Sequence, residues 1–430
     1  MQHGSHLLRV RIAIGALLAA GVVLVGCGGG SVGANGQSTP LGTSFGANAI
    51  PTAVALAQKA DTPVDPAIVS ADNSFGLSLF DTLLQGSDGG NIAISPLSVA
   101  LALQILYNGA AGSTKQAMTQ TLELGLLSDQ ALNSDNAALQ ASLTAADPKV
   151  QLTIANSLWV DQSDGSILPS FTQTDETYYG ATVGDLAGAP ANVNAWVDTE
   201  THGLITQLMP PGEYQDAIIA NVLYFKAEWT TSFQPSNTAS APFTLRGGSQ
   251  TTAELMHQTG SFAYTAGSLH GSNFQAVRMP YGQGRLSMLI ILPNAGANIT
   301  SFVADITIDD LNGLIAQLEP SMVTIALPRF TASYGTSLTA ALASMGMGIA
   351  FGPSADFSAL APGFSVNVVE HKTLVEVDET GTVAAAATGI GDSLAMPQQY
   401  TMTMDHPFFY AIQDGKTGEL LFIGVLMNPS

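Results

Sequence analysis

The spacing of apolar residues changes from helical to strand-like close to residue 210, and this change limits the folds open to the chain. Up to about Leu208, apolar residues recur every three or four positions, as in amphipathic helices. Beyond Ala217 the chain has short apolar runs of the kind that form strands. These runs are 218–225, 276–279, 286–292, 322–327, 366–369, 374–377, 408–412 and 420–425. Helices first and strands later predict an α+β fold.

Cap and turn residues place the first and last elements of this fold. A first helix is predicted after the cap candidates Asp72 and Asn73, and a second helix after Ser95-Pro96. The last two apolar runs are separated by the sequence Asp-Gly-Lys-Thr-Gly at 414–418, which predicts a hairpin. The folded region is therefore expected to span residues 66–430.

The N-terminal residues predict export and anchoring. An unbroken apolar stretch, 12–25, follows two arginines and ends in Leu-Val-Gly-Cys, which resembles a bacterial lipobox. Residues 1–26 are thus predicted to be a lipoprotein signal peptide, and Cys27, the only cysteine, to be the lipid anchor. The alternative is a plain signal peptide cleaved near a cysteine. Lipidation would place the protein on the cell envelope, in the periplasm or at the cell surface.

Residues 27–65 predict a flexible tether, because they are mostly Gly, Ser, Asn, Thr, Ala and Pro. Two matches to the Gly-x-Ser-x-Gly nucleophile pattern, 29–33 and 42–46, lie in this tether. A nucleophile elbow needs a strand before it and a helix after it, so both matches are interpreted as chance. No other constellation indicates an enzyme.

The charge of the chain excludes nucleic acid as a partner. Lys and Arg number 12 against 33 Asp and Glu, which gives a formal net charge of −21. Such a chain repels polyanions, and no basic run offsets this locally. The histidines show no ligand spacing and no Cys/His cluster exists, so neither a metal nor another cofactor is predicted.

A long segment of small residues separates two predicted strands near the C-terminus. Residues 378–397 read Asp-Glu-Thr-Gly-Thr-Val-Ala-Ala-Ala-Ala-Thr-Gly-Ile-Gly-Asp-Ser-Leu-Ala-Met-Pro. A connection of about 20 residues within a compact domain is usually either functional or disordered. Composition alone favours a flexible Ala/Gly loop.

The motifs on both sides of this segment resemble those of the serpin family, in family order over most of the folded region. They are Asn91–Ser98 (Asn-x-x-x-Ser-Pro-x-Ser), Asn221–Phe233 (Asn-x-x-Tyr-Phe-Lys-x-x-Trp-x-x-x-Phe), 355–358, 371–372, Glu379-x-Gly381-Thr382, 405–408 and 422–424. The resemblance implies a serpin fold with a helix-rich N-terminal part, a large central β-sheet and an exposed reactive-centre loop at about 379–404. It also implies an inhibitor that traps a serine protease in a covalent complex, and a monomer.

The family mechanism inserts the cleaved loop into the central sheet as a new strand. Alternate side chains of a strand share a face. The side chains that would face inward, those of Thr382, Ala384, Ala386 and Thr388, are small enough to enter between two strands. The residues assigned to the hinge are Glu379, Gly381, Thr382, Ala384, Ala385, Ala386, Ala387 and Thr388.

The resemblance places the scissile bond between Ala395 and Met396, and Leu394 is the alternative residue before the bond. All three residues are uncharged, which favours proteases of elastase-, chymotrypsin- or subtilisin-like specificity over trypsin-like ones.

Several loop residues depart from the family pattern. Val383 replaces a common Glu, Gly389 and Gly391 weaken strand formation, and Asp392 would bury a carboxylate on full insertion. These residues leave an alternative open, in which a non-inhibitory serpin with a binding or chaperone-like role is cleaved only as a substrate.

Two polar clusters are implied around the loop. The shutter, beneath the point where strands separate, is assigned to Ser95, Ser98, Asn194 and His371. The breach, at the top of the sheet, is assigned to Arg329, Trp229 and Glu379. Taken alone, His371 would be a structural histidine, and the Arg329–Glu379 pair a solvated surface pair. Only Lys149 is basic between residues 141 and 158, so a heparin-type activator is not expected.

Overall fold

The computed structural model describes residues 62–161, 166–212, 214, 217–304, 306–366, 368–379 and 399–430. Several predicted functional residues lie outside these ranges. They are the lipid anchor Cys27, hinge residues 381–388, Val383, Gly389, Gly391, Asp392, and the bond residues Leu394, Ala395 and Met396.

The helices are concentrated in the first third of the described chain, as predicted. They are α1 (Pro66–Gln85), α2 (Pro96–Gly109), α3 (Gly112–Thr121), α4 (Asp129–Thr144), α5 (Pro169–Tyr178), α6 (Ala191–Glu200), α7 (Ile299–Val303), α8 (Ile308–Ile315) and α9 (Thr339–Leu342). No helix in the described ranges is long and apolar enough to cross a lipid bilayer.

The first helix begins earlier than predicted. Its N-cap is Asp65, whose side chain accepts a hydrogen bond of 2.9 Å from the backbone N–H of Ala67. Asp72 and Asn73, predicted as caps, lie inside α1 and are buried. For α2 the predicted start is correct, because Ser95 is its N-cap and accepts from the backbone N–H of Ser98 at 3.1 Å.

Seven of the fourteen strands in the described residues overlap the predicted runs. The strands are β1 (Ile92–Ile94), β2 (Val150–Val160), β3 (Thr182–Asp185), β4 (Ala217–Ala227), β5 (Thr238–Thr244), β6 (Gln250–Leu269), β7 (Ser272–Pro280), β8 (Leu286–Pro293), β9 (Glu319–Pro328), β10 (Phe330–Ser337), β11 (Val368–Val377), β12 (Gln399–Thr403), β13 (Phe408–Asp414) and β14 (Leu420–Leu426). The runs 366–369 and 374–377 both overlap the single strand β11, which begins at Val368.

The strands form two sheets. The central five-stranded sheet has the order β10-β11-β4-β2-β3, in which β11 and β4 are parallel and β2 and β4 are antiparallel. A nine-stranded sheet has the order β1-β14-β13-β8-β7-β6-β9-β12, and β5 pairs with β6. Two members of the central sheet, β2 and β3, fall where helical patterns were expected to dominate, and this part of the prediction was wrong.

Helices cover both faces of the central sheet. Helix α2, which is buried at every residue except Asn108, packs against β2 and β4 on one face and against β14 on the other side. On the opposite face of the central sheet, Val193 and Val197 of α6 pack in an apolar cluster with Ile218 and Val222 of β4. The predicted α+β class is confirmed.

Candidate functional site

The seam, defined here as the interface between β4 and β11, is one of two parallel pairings in the central sheet; the other joins β2 to the edge strand β3. Eight residue pairs form it, from Val368 opposite Ile218 to Val375 opposite Phe225. Parallel pairing is slightly less stable per residue than antiparallel pairing. Among the three interior strands β11, β4 and β2, the seam is therefore the weaker of the two interfaces.

The seam is already open at its upper end. Pairing stops at Val375 and Phe225, although β11 continues to Val377 and β4 to Ala227. A cleft of about 210 Å³ lies there. Its lining residues are Pro148, Lys149, Gln151, Lys226, Ala227, Glu228, Glu376 and Asp378. Glu379, the last described residue before the segment 380–398, follows β11 at this end of the seam.

A row of polar side chains crosses the lower part of the seam. His371 of β11 lies opposite Asn221 of β4, and Asn221 lies opposite Asn156 of β2. His371 Nδ1 and Asn221 Oδ1 are 2.7 Å apart, and Asn221 Nδ2 donates to Asn156 Oδ1 at 2.5 Å. The same amide donates to the Ser98 hydroxyl at 2.6 Å. The row is buried, and it joins the three strands to the start of α2.

The hydrogen bonds determine the protonation of His371. The backbone N–H of Ser95 donates to Nε2 at 3.2 Å, so Nε2 is unprotonated and Nδ1–H donates to Asn221. Burial lowers the pKa of His371 from 6.5 to about 3. The neutral ring thus stabilises the fold above pH 6.5, and this contribution is lost as the pH falls towards 3.

The shutter assignment of Asn194 is wrong. Asn194 lies on α6, and its Oδ1 accepts from the backbone N–H groups of Leu208 and Met209 at 2.9 and 2.8 Å. Asn221 occupies the place that was assigned to Asn194, in contact with Ser98 and His371. The signal was an Asn in the otherwise apolar run 218–225, since a buried amide needs partners.

The breach residues are close together at the upper end of the seam. Arg329 donates to both carboxylate oxygens of Glu379, from Nη2 to Oε1 at 2.5 Å and from Nε to Oε2 at 3.0 Å. The Thr238 hydroxyl donates to Oε1 at 2.5 Å. The Glu379 side chain is only 6% exposed, whereas that of Arg329 is 51% exposed. Burial raises the pKa of Glu379, but the bonds from Arg329 and Thr238 outweigh it and lower the pKa below its ordinary value.

Trp229 ties the end of β4 to the start of the loop segment. Its indole Nε1 donates to the backbone oxygen of Asp378 at 3.0 Å. The ring stacks on Tyr281, with centroids 4.3 Å apart and planes 15° apart. The first residues after β11 are therefore held by Trp229 and by Arg329.

We expect Arg329→Ala to speed thermal unfolding of the intact protein about tenfold, since the nearly buried Glu379 carboxylate would keep only Thr238 as a side-chain donor. The measurement is the loss of near-ultraviolet circular dichroism at constant temperature. Arg329→Lys keeps the charge but not the two-pronged geometry and should give an intermediate rate. Equal rates for wild type and Arg329→Ala would show that the pair is a solvated surface contact.

Residues 70–429 match the family model described as serpin (serine protease inhibitor). A serpin-like protein of Thermococcus kodakarensis is 32% identical over 374 residues, which cover 84% of this chain and 86% of that protein. The leukocyte elastase inhibitor of Homo sapiens is 30% identical over 382 residues, which cover 84% of this chain and 99% of that protein.

Solved structures have the same architecture. The native state of tengpin, a thermophilic serpin, aligns with a TM-score of 0.76 at 29% identity and covers 85% of this chain and 95% of that chain. Native protease nexin-1 with heparin aligns with a TM-score of 0.77 at 24% identity, over 85% of this chain and all of that chain. The fold predicted from the motifs is confirmed.

Proposed function

The chain belongs to the serpin family, and on this premise we propose that it is an inhibitory serpin, which traps serine proteases by inserting its cleaved loop into the seam. It acts as a suicide substrate and not as an enzyme. The observation that supports this most directly is the seam itself, where β4 and β11 are parallel neighbours with a cleft at the end from which the loop segment leaves.

The direction of the strands permits the insertion. Because β4 and β11 run parallel to each other, a strand between them can be antiparallel to both. The segment 380–398 follows β11 directly, so after cleavage it only has to fold back, as in a hairpin, to take that direction. Eight parallel pairs are then replaced by two antiparallel interfaces.

The gain from these interfaces drives the trap. Roughly ten new ladder hydrogen bonds at about 1 kcal/mol each contribute on the order of 10 kcal/mol, before side-chain burial is counted. A strand of about 15 residues is about 50 Å long. A protease still esterified to the upstream end of the cut would be carried that far, and its acyl-enzyme would be distorted before water attacks it.

The shutter row must reorganise during insertion. The bond between His371 and Asn221 crosses the seam, so it breaks when β4 and β11 separate. The neutral imidazole, the amide and the Ser98 hydroxyl can each donate or accept, which lets them bind an incoming backbone instead. This supports a role for His371 in strand opening and none in bond cleavage.

The sequence of the loop supports a preference for proteases with apolar or small primary pockets. Ala395 and Met396 flank the proposed bond and carry no charge. The similarity to the leukocyte elastase inhibitor supports the same class of target. The function is tested by incubating the protein with pancreatic elastase, chymotrypsin, subtilisin and trypsin, followed by denaturing gel electrophoresis and mass spectrometry of the products.

An inhibitor gives a covalent band with the summed mass of one chain and one protease, and the released C-terminal peptide gives the position of the bond. Trypsin is expected to give much less of this band. If every protease that cuts between residues 390 and 398 yields only the clipped protein, the inhibitory proposal is wrong and the substrate-only serpin is correct.

We also propose that Cys27 anchors the protein to the cell envelope. In a bacterial host fed with labelled palmitate, the wild-type protein should be labelled and should sediment with the membranes. Cys27→Ser should lose the label and leave the membrane fraction, whereas Ser31→Ala, in the same tether, should behave like wild type. A wild-type protein without label would overturn this proposal.

A further inference from the structure

A chain of buried polar side chains links three helices away from the seam. Gln104 of α2 donates to Asp72 Oδ1 of α1 at 2.7 Å, and Asn136 of α4 donates to Gln104 Oε1 at 2.8 Å. Asn136 also donates to the Tyr179 hydroxyl at 3.1 Å. The Nε2 group of Gln104 donates only to Oδ1 of Asp72. The second oxygen of Asp72, Oδ2, has no hydrogen-bond partner among the described residues.

A second buried carboxyl group lies where α1 packs against the turn between β13 and β14. Glu419, between β13 and β14, is fully buried, and neither of its carboxylate oxygens has a partner in the described part of the chain. The side-chain amide of Asn73 binds the backbone on both sides of Glu419. It donates to the Gly418 oxygen at 3.0 Å and accepts from the Leu420 N–H at 2.8 Å. Asp72 precedes Asn73, and the two carboxyl groups interact electrostatically.

Three buried carboxyl oxygens without donors therefore lie where α1 packs against the turn between β13 and β14. Two ionised carboxylates without counter-ions are too costly to bury, so the native protein keeps at least one of the two groups protonated. A hard cation is the less suitable occupant, because such ions require about six oxygen ligands, and the described residues contain no cluster of three or more potential metal-binding side chains.

We propose that the buried carboxyl groups of Asp72 and Glu419 retain at least one proton in the native protein, and that this carboxyl pair makes the native fold less stable as the pH rises above neutrality. Because the two groups interact, the retained proton belongs to the pair and not to either residue alone.

The charged groups around the pair favour retention of the proton. Arg285 binds Asp414 through two bonds, Nε to Oδ1 at 2.7 Å and Nη2 to Oδ2 at 3.0 Å, so that Asp414 stays ionised. The Asp414 charge faces Glu419 and disfavours a second negative charge there. On the other side are Tyr179 and, beyond it, Asp175, and neither supplies a positive charge.

Burial raises the pKa of both carboxyl groups, and the negative charges of Asp72 and Asp414 raise the pKa of Glu419 further. The unfolded chain releases these protons in acid, near the ordinary carboxyl values. The native state therefore holds a proton that the unfolded state lacks, and its advantage is fully present at low pH and lost as the pH rises through the native pKa. This is the opposite direction to the effect of His371.

Helix α2 connects this pair to the shutter. Ser95 and Ser98, at the start of α2, contact the polar row at the seam, while Gln104 on the same helix donates to Asp72. A change in the charge of the pair therefore acts on the helix that supports the seam. Alkaline pH should therefore lower the stability of the native state through α2, without a change in the contacts of the loop segment.

The test is the apparent melting temperature of the full-length protein in detergent between pH 7 and 9, at one scan rate. This range lies above the native and unfolded pKa values of His371. The wild-type value should fall by about 2 °C per pH unit. The double variant Asp72→Asn with Glu419→Gln keeps the shapes of both side chains and removes both titrating groups, so its melting temperature should be nearly constant. Glu319→Gln, which removes one exposed charge, should retain the wild-type slope.

Parallel slopes for wild type and the double variant would overturn the proposal. So would a rise in the wild-type melting temperature with Ca²⁺ or Mg²⁺ that the double variant does not show, because the pair would then hold a cation. If the double variant does not fold, difference infrared spectroscopy of Asp175→Asn decides, because Asp175 is a further buried carboxyl group, whose pKa burial raises to about 7. A protonated-carboxyl band present at pH 7 and lost on unfolding supports a retained proton at the pair, and its absence refutes it.

Discussion

Cutting the segment between β11 and β12 should raise the apparent melting temperature of the intact protein by at least about 10 °C. The reason is that the cut segment is free to enter the seam and add two antiparallel interfaces. On the order of 10 kcal/mol of new hydrogen bonding, at slightly more than 1 °C per kcal/mol for a domain of this size, gives this shift.

The measurement is calorimetry, or circular dichroism on heating, before and after cleavage by a protease that cuts between residues 390 and 398. Mass spectrometry must show that this is the only cut. An unchanged melting temperature after complete cleavage would mean that the segment stays outside the sheet, and the inhibitory mechanism would then be wrong.

The second large effect is expected from Ala386→Arg, which should reduce covalent complex formation at least 100-fold and turn the protein into a substrate. Ala386 belongs to the inward set of the inserted strand, where a guanidinium would be buried without a partner. An unpaired buried charge costs several kcal/mol, and about 3 kcal/mol on the insertion barrier slows the step about 100-fold relative to hydrolysis of the acyl-enzyme.

Ala385→Arg is the matched control, since neighbouring residues of a strand point to opposite faces. It introduces the same charge one position earlier and should retain most of the complex. The ratio of covalent to clipped product on a denaturing gel measures both variants. Equal ratios for the two variants would show that the alternation predicted from Thr382 is not the one that the inserted strand uses.

The C-terminal strands were predictable because local chemistry marks their ends. The turn between β13 and β14 is held by the Asp414 carboxylate, which accepts from the backbone N–H groups of Lys416 and Thr417 at 3.2 Å each. Gly418 adopts a φ of +86°, which L-residues with side chains rarely adopt. Such turns are encoded by the residues that form them, so sequence patterns alone locate them.

Strand β2 was missed for the opposite reason. Its last six residues, from Ala155 to Val160, are all buried, because α2 covers one face of the sheet and α6 the other. Burial on both faces removes the alternation by which a strand is recognised. In β11, by contrast, polar residues 370–373 divide one strand into two apparent runs. His371 and Thr373 are buried there, and their partners Asn221 and Ala93 are distant in sequence.

The same limit applies to the site. The motifs located Ser95, Ser98, His371, Arg329, Trp229 and Glu379, and the structure brings them into two clusters. The choice of Asn194 instead of Asn221 was wrong because it depends on which strands are neighbours. Pairing between β4 and β11, about 150 residues apart in the chain, is a property of the tertiary structure and not of a local pattern.

The position of α6 determines how the central sheet can widen. A new strand would move β4 and β11 apart by about 4.8 Å on each side of it. Trp196 of α6 packs edge-on against Trp159 of β2, with centroids 6.5 Å apart, whereas Val368 and Leu374 of β11 lie only at the margin of this cluster. We therefore expect the helix to move with β2 and β4 and to slide over β11. Expansion of the sheet would then break only a few marginal apolar contacts between this helix and β11.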